Sequence, residues 1–272
     1  MIGNTIIRRG PGAEPVSLAE AKAHVRAILA QTDEDALLLS YIAAARQYVE
    51  STTARAVVTR AVRTTFPEFE CRLDLPAPTR AVSAVTYLDA AGDTQTLDPA
   101  SYVVDLSGAV ASITLASGYV WPTTLNHPAA VTVDLICGHA TPYAANAGTD
   151  VLTAVGHPYA NDDVVRVWNS GGAVPAGLTA QTTDYFVVGA TSDTFQLAAS
   201  EGGAAANITD TGSGTNFVVA ANDQYWAAMR LAVLLLVGHW YNNREASTTA
   251  ANVSDIPFGV DALLTPAKVW GF

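Results

Sequence analysis

The sequence predicts an α+β fold: a helical bundle with a small antiparallel β segment, plus an inserted all-β module. Three observations predict it. Residues 17–53 and 224–245 carry helical patterns, residues 57–137 alternate roughly in twos, and residues 141–222 are rich in Gly, Ala, Thr and Asp with short strand candidates. The matching partition is a core of residues 1–140 and 223–272, an inserted β-rich module at 141–222, and a C-terminal docking segment at 246–272.

The first helix opens at Ser17, whose hydroxyl can cap free N–H groups, with Glu20 where a capping box places it. It is expected to run to about Ala30. The acidic run Thr32-Asp33-Glu34-Asp35 then favours a second helix N-terminus, because the helix dipole attracts negative charge there. That helix should continue to about Thr53, with Leu38, Tyr41, Ile42, Ala45, Tyr48 and Val49 as its apolar stripe.

Alternation at 58–66, 81–88 and 131–136 gives strands. Asp89-Ala90-Ala91-Gly92-Asp93 reads as a hairpin turn with Gly92 able to take positive φ, and Leu75-Pro76-Ala77-Pro78 as a rigid connector. In the module, strand candidates at 164–168, 185–188 and 194–197 are separated by Gly171-Gly172, Gly202-Gly203 and Gly212-Ser213-Gly214.

The last long helix begins after Asp223, a reasonable N-cap, and contains seven consecutive apolar residues at 231–237. At ~100° per residue such a run circles the helix, so no face is left for water. Burial on every side requires either a large core within the chain or neighbouring subunits. A membrane span needs about 20 apolar residues, whereas Arg230 and His239 bracket eight, so no membrane is expected. A polar link follows at 246–252, and then an apolar tail that packs either on its own core or on a neighbouring protein.

At 272 residues, half of them hydrophobic, the chain is long enough for one large domain or two small ones. Its net charge is −11, and residues 141–222 hold one basic and seven acidic groups. Only Lys22 and Lys268 are lysines, and no basic patch suited to phosphates is visible, so tight nucleic-acid binding is not expected. An acidic surface suits DNA that must slide past. Cys71 and Cys137 are expected to be two buried thiols, since two cysteines make no disulfide framework. No apolar run follows Met1, so no signal peptide is expected, and assembly is expected in a host cytoplasm.

Motifs of enzymes are missing: there is no phosphate loop, no Gly-x-Ser-x-Gly and no His-Glu-x-x-His. His24, His127, His139, His157 and His239 are dispersed, without metal-ligand spacing. Helix capping explains Asp33, Glu34 and Asp35 better than a calcium loop does, and Asp162-Asp163 reads as solvated turn carboxylates. Tyr225, Trp226, Trp240 and Tyr241 bracket the apolar helix at both ends. Core or subunit-interface anchoring suits them better than a stacking platform. With Leu231, Leu234 and Leu235 they form the candidate core and interface set. No enzyme, cofactor or metal is expected.

An ordered set of segments resembles a known family. It comprises VSLAEAKAHVR at 16–26, DALLLSYIAAARQYVE at 35–50, RAVVTR at 55–60, PAPTRAVSAVTYLDAAGDTQTLDPASYVVD at 76–105, Trp121-Pro122, AVTVDLICGHA at 130–140 and AVLLLVGHWYNNREA at 232–246. Together these resemble the head–tail connector, or adaptor, proteins of tailed bacteriophages, prophages and gene transfer agents. The likeness covers about 15–140 and 223–272. It implies a structural virion protein: a homo-oligomeric ring, usually of twelve subunits, bound under the portal protein at the capsid vertex. Such a ring forms part of the neck, extends the channel for double-stranded DNA without binding it specifically, and carries the next neck, stopper or tail protein. It also implies that the C-terminal segment reaches the portal, so Leu263, Leu264, Val269, Trp270 and Phe272 are the candidate docking residues. The intervening ~80 residues depart from the family pattern. Their segments at 183–188 and 193–198 resemble small β modules of phage virion proteins, which implies an exposed domain outside the ring. The alternative function is a virion or cell-surface binding module whose β insert recognises a glycan or receptor.

Overall fold

The computed structural model describes residues 3–244 and 258–269. These fall into two compact units, one of residues 3–11, 54–138 and 269, the other of residues 12–53, 139–244 and 258–268.

The first unit is all β. Its strands are β1 (Asn4–Ile7), β2 (Arg60–Phe66), β3 (Arg72–Asp74), β4 (Thr79–Leu88), β5 (Thr94–Thr96), β6 (Tyr102–Asp105), β7 (Ser112–Leu115) and β8 (Val131–Cys137). They build a five-stranded antiparallel sheet in the order β1-β2-β8-β4-β5 and a three-stranded sheet in the order β3-β7-β6. Central β8 shows why: Val131, Val133, Leu135 and Cys137 are buried while the residues between them are half-buried. A period of two puts those four side chains on one face. They meet Val62, Phe66, Leu73, Val85, Leu97 and Ile113 in one core. On the opposite face Arg63 grips Asp134 with two bonds of 2.7 and 2.6 Å across the β2–β8 pair, and this holds the Asp134 carboxyl below its ordinary pKa. The β4–β5 turn is as expected: Asp89 Oδ1 accepts the N–H groups of Ala91 and Asp93, and Gly92 has φ +90°.

The second unit holds four α-helices and a barrel. The helices are α1 (Leu18–His24), α2 (Asp35–Thr53), α3 (Trp226–Asn242) and α4 (Phe258–Leu264). The barrel strands are β9 (Ala140–Asn146), β10 (Val151–Thr153), β11 (Val164–Ser170), β12 (Tyr185–Val188), β13 (Thr194–Ala198) and β14 (Thr215–Ala220). Their order, β10-β13-β12-β11-β14-β9, is closed by pairing of β9 with β10. Closure leaves no open edge. Leu152, Val165, Val167, Val187, Phe195, Leu197 and Val218 fill the interior.

The bundle expectation is overturned. The fold is mostly β, 31% strand against 22% helix, with a closed six-stranded barrel. Residues 60–137 form seven strands with a core of their own rather than a small segment laid on helices. Two further expectations change. The first helix stops at His24 because Val25 and Arg26 leave helical geometry, Arg26 at φ 58°. Cys71 is exposed; only Cys137 is buried.

The acidic excess of the barrel has a local explanation. Asp150, Asp162, Asp163, Asp193 and Asp210 each accept a backbone N–H, from Ile208, Gly202, Ala160, Gly156 and Ala176 respectively. Each of these N–H groups needs an acceptor, and a carboxylate oxygen supplies it. Backbone N–H donors from Ala176 and Gly212 hold Asp210 below the usual carboxylate pKa, Gln95 and the turn amides do so for Asp89, and Ser107 for Asp105. A folded pKa below the unfolded one contributes stability above the unfolded value, which is lost as pH falls through the folded one. The melting temperature should therefore fall progressively below about pH 4. Asp210→Asn, which keeps an acceptor oxygen but does not titrate, should flatten that fall when melting is followed across pH.

Candidate functional site

Helix α3 is the element around which the second unit is organised. Asp223 fixes its first turn: Oδ1 accepts the N–H groups of Tyr225 and Trp226, both at 3.0 Å, and Oδ2 meets His139 Nδ1 at 2.5 Å. Both partners of that His–Asp pair are almost completely buried. Trp226, 1% exposed, lies against Phe217 of β14 at 5.3 Å and edge-on to Trp168 of β11 at 6.4 Å. Its indole N–H finds no acceptor among the described residues, so packing holds it.

One turn on, Arg230 enters a polar cluster. Its guanidinium binds the Glu20 carboxylate and the carbonyls of Pro15 and Asn169. Glu20 also accepts from Ser170 Oγ at 2.5 Å, and Ser170 Oγ accepts the Ser17 N–H at 2.6 Å. Ser17 Oγ caps the Glu20 N–H at 3.2 Å. The capping serine thus behaves as expected, but the Glu20 carboxylate reaches to α3 and β11 instead of closing a capping box. Gly171 is required beside this cluster: its φ is +76°, and a Cβ there would come within 2.1 Å of Ser17 Oγ.

At the far end, Tyr241 Oη donates to Glu34 at 2.5 Å and Arg244 binds the other Glu34 oxygen at 2.5 Å while lying over the Tyr241 ring. The Tyr241 hydroxyl, and then Arg244, hold the Glu34 carboxyl below its ordinary pKa. Trp240 packs against Tyr41 of α2. Lys22, 4% exposed, donates to the carbonyls of Leu29 and Gln31 and pairs with Asp35, which fixes the turn between α1 and α2.

With α3 so held, its burial is not uniform. Ala232, Val233, Leu234, Leu236 and Val237 are buried, Leu235 is half-buried, and Leu231 is 44% exposed. The chain's own core therefore covers all but one stripe, Ala227, Leu231 and Leu235 at helical spacing of four. The exposed face of α2 is also without charge: Ala36, Leu39, Ser40, Ala44, Gln47 and Ser51. In the C-terminal segment Leu264 is fully buried in the chain's own core, Leu263 is half-buried, and Val269 lines an apolar cavity of about 230 Å³ with Thr5, Leu75, Pro76 and Val110. Trp270 and Phe272 lie outside the described residues.

The histidines do not converge. His157 sits in the barrel with Nε2 against the Thr194 carbonyl and Nδ1 accepting the Tyr159 N–H, and His127 accepts the Ala129 N–H. Among the described residues no three His, Cys, Asp or Glu side chains could hold a metal ion, and no helix is long and apolar enough to cross a membrane. What the arrangement offers is surface for association. Sequence reading missed Arg230, Glu20, Ser170 and His139 as partners; their types carry no signal of pairing until the chain is folded.

No family model matches the sequence, and no curated protein matches it. Solved structures do match in fold. A chain from the neck of an empty GTA particle computed with C6 symmetry is 20% identical, with a TM-score of 0.53 over 99% of this chain and 97% of that one. A chain from the virion of a native gene transfer agent particle is 18% identical, with a TM-score of 0.55 over 98% and 96%. A chain from the neck of a native GTA particle computed with C12 symmetry is 18% identical, with a TM-score of 0.50 over 100% and 97%.

Arg230 and Glu20 are largely buried, at 15% and 22% side-chain exposure. Breaking a fully buried pair costs roughly 3–5 kcal/mol, and residual water contact lowers that here. Glu20→Gln should destabilise by about 2 kcal/mol and Ser170→Ala by about 1 kcal/mol, both read from urea unfolding midpoints.

Proposed function

We propose that this chain is a structural component of the neck of a phage-like particle, assembling as a homo-oligomeric ring between the portal and the tail. The observation that carries this reading is the fold likeness to chains from GTA neck and virion particles along nearly the whole length of both partners. Two features of the chain support it. The apolar stripe of α3 and the uncharged face of α2 are the kind of surface that neighbouring subunits cover. The net charge of −11 with 14 basic groups suits a channel that lets DNA slide without holding it.

In this role the ring, of twelve subunits, docks on the portal protein through the segment 246–272, with Leu263, Val269, Trp270 and Phe272 as contacts. Leu264 would have to leave its buried place to take part. A downstream neck, stopper or tail protein binds the opposite side. The barrel, which spans residues 140–220 and so takes in most of the module 141–222, acts as part of the ring's body, because Ser170 and Asn169 are bonded to the helices. Assembly takes place in a host cytoplasm, and no membrane or cofactor is involved.

Leu231 and Leu236 separate assembly from folding. Leu231→Asp places a charge on the exposed stripe and should leave the melting temperature within about 2 °C of wild type while abolishing rings. Leu236→Asp buries an unpaired charge and should cost several kcal/mol, preventing folding. Native mass spectrometry and electron microscopy of the full chain distinguish the two. Unimpaired rings in Leu231→Asp would contradict the role given to the stripe, and a wild-type chain that stays monomeric and is absent from particles would contradict the ring itself.

A further inference from the structure

The five-stranded sheet of the first unit ends in two strands unlike the rest. Every residue of β1 and every residue of β5 is exposed, whereas each other described strand carries at least one buried or half-buried residue. In β1 this leaves Ile6 49% and Ile7 56% exposed on a strand that contributes nothing to the core. Among the described residues β1 pairs only with β2, and β5 only with β4, so within this set each has an outer edge of unpaired backbone groups. Short edge strands are normally blunted by charge, proline or cover. Here the sequence of β1 is Asn-Thr-Ile-Ile, without any of these.

The two edges are complementary. Arg8 and Arg9, both exposed, follow β1, while exposed Asp93 and Asp98 flank β5. Their backbone phases also agree. Arg8 N–H bonds to Ala61 O, which sets residues 4, 6 and 8 facing β2 and leaves Thr5 and Ile7 pointing outward. Leu97 N–H bonds to Val85 O, which leaves Thr94 and Thr96 pointing outward from β5. Four successive antiparallel steps make β1 and β5 run in the same direction.

We propose that the sheets of neighbouring copies join edge to edge, β1 of one copy pairing in parallel with β5 of the next. With Thr94 opposite Asn4 and Thr96 opposite Ile6, the outward groups of Thr94 and Thr96 meet those of Thr5 and Ile7. The same register sets Asp98 against Arg8 and covers both isoleucines. The contact is heterologous: two different edges of one sheet meet, so it propagates and closes when the rotation per subunit divides a full turn. It rests on the ring reading and names a contact within it.

The test uses the full chain. Ile7→Pro removes an outward N–H without touching the bonds to β2, and Pro is tolerated at such an edge position. Expected is at least a tenfold rise in the concentration needed for half-assembly by native mass spectrometry, with an unchanged melt; Ile7→Val should assemble as wild type. Independently, Asn4→Cys and Thr94→Cys combined in a Cys71→Ser background should give a ladder of disulfide-linked oligomers on mild oxidation, and neither single cysteine should do so beyond dimers. Rings that form normally with Ile7→Pro, or that yield no ladder, overturn the edge contact and leave the ring reading standing. A wild-type chain that forms no ring overturns both.

Discussion

The second unit depends on one desolvated charge pair. Arg230 lies where α3, the start of α1 and the end of β11 converge, and its guanidinium and the Glu20 carboxylate exclude most water from each other. Leaving either charge unpaired there costs about 2 kcal/mol. The three elements therefore have one acceptable arrangement, and Ser17, Ser170 and Gly171 complete it by capping, bridging and making room. Trp226 against Phe217 and Trp168 adds the apolar part of the same junction. Once α3 is anchored in this way, its rotation is fixed, and so is the stripe of Leu231 left outside.

Much of the local structure was legible in the sequence, and most of what was not depends on distant partners. Alternation at 58–66, 81–88 and 131–136 pointed to strands β2, β4 and β8, and it is cleanest in β8, where every second residue is buried. The barrel strands β11, β12 and β13 are rich in β-branched and aromatic residues and stood out for that reason. β9 reads Ala-Thr-Pro-Tyr-Ala-Ala-Asn and β10 has three residues, so neither carries a propensity signal. β14 exists as part of a barrel only through β9 and β11, the first of which begins 75 residues earlier. Barrel closure is thus a non-local property. The fold class went wrong for the same reason: helical patterns are visible in one window, whereas sheet size is set by pairing across the chain.

The site shows the same division. The apolar run of α3 was plain, but a count of hydrophobic residues cannot tell which are covered, and Leu231 proved to be the exception. Arg230 looked like a boundary of the apolar run, and Glu20 like half of a capping box. Both assignments follow from local spacing; their actual bond spans 210 residues. Acidic residues illustrate a milder form. The acidic excess of residues 141–222 set that segment apart in the sequence, and several of its carboxylates hold backbone N–H groups in turns.

Locked through Arg230, the helices and barrel should open as one cooperative body. Native-state hydrogen exchange on the full chain tests it most directly. Amides of β11 and β14 should exchange with the same opening free energy as those of α3, and Glu20→Gln should lower all of them together. A barrel that keeps its full protection while α3 exchanges freely, with Glu20→Gln affecting the helices alone, would contradict it.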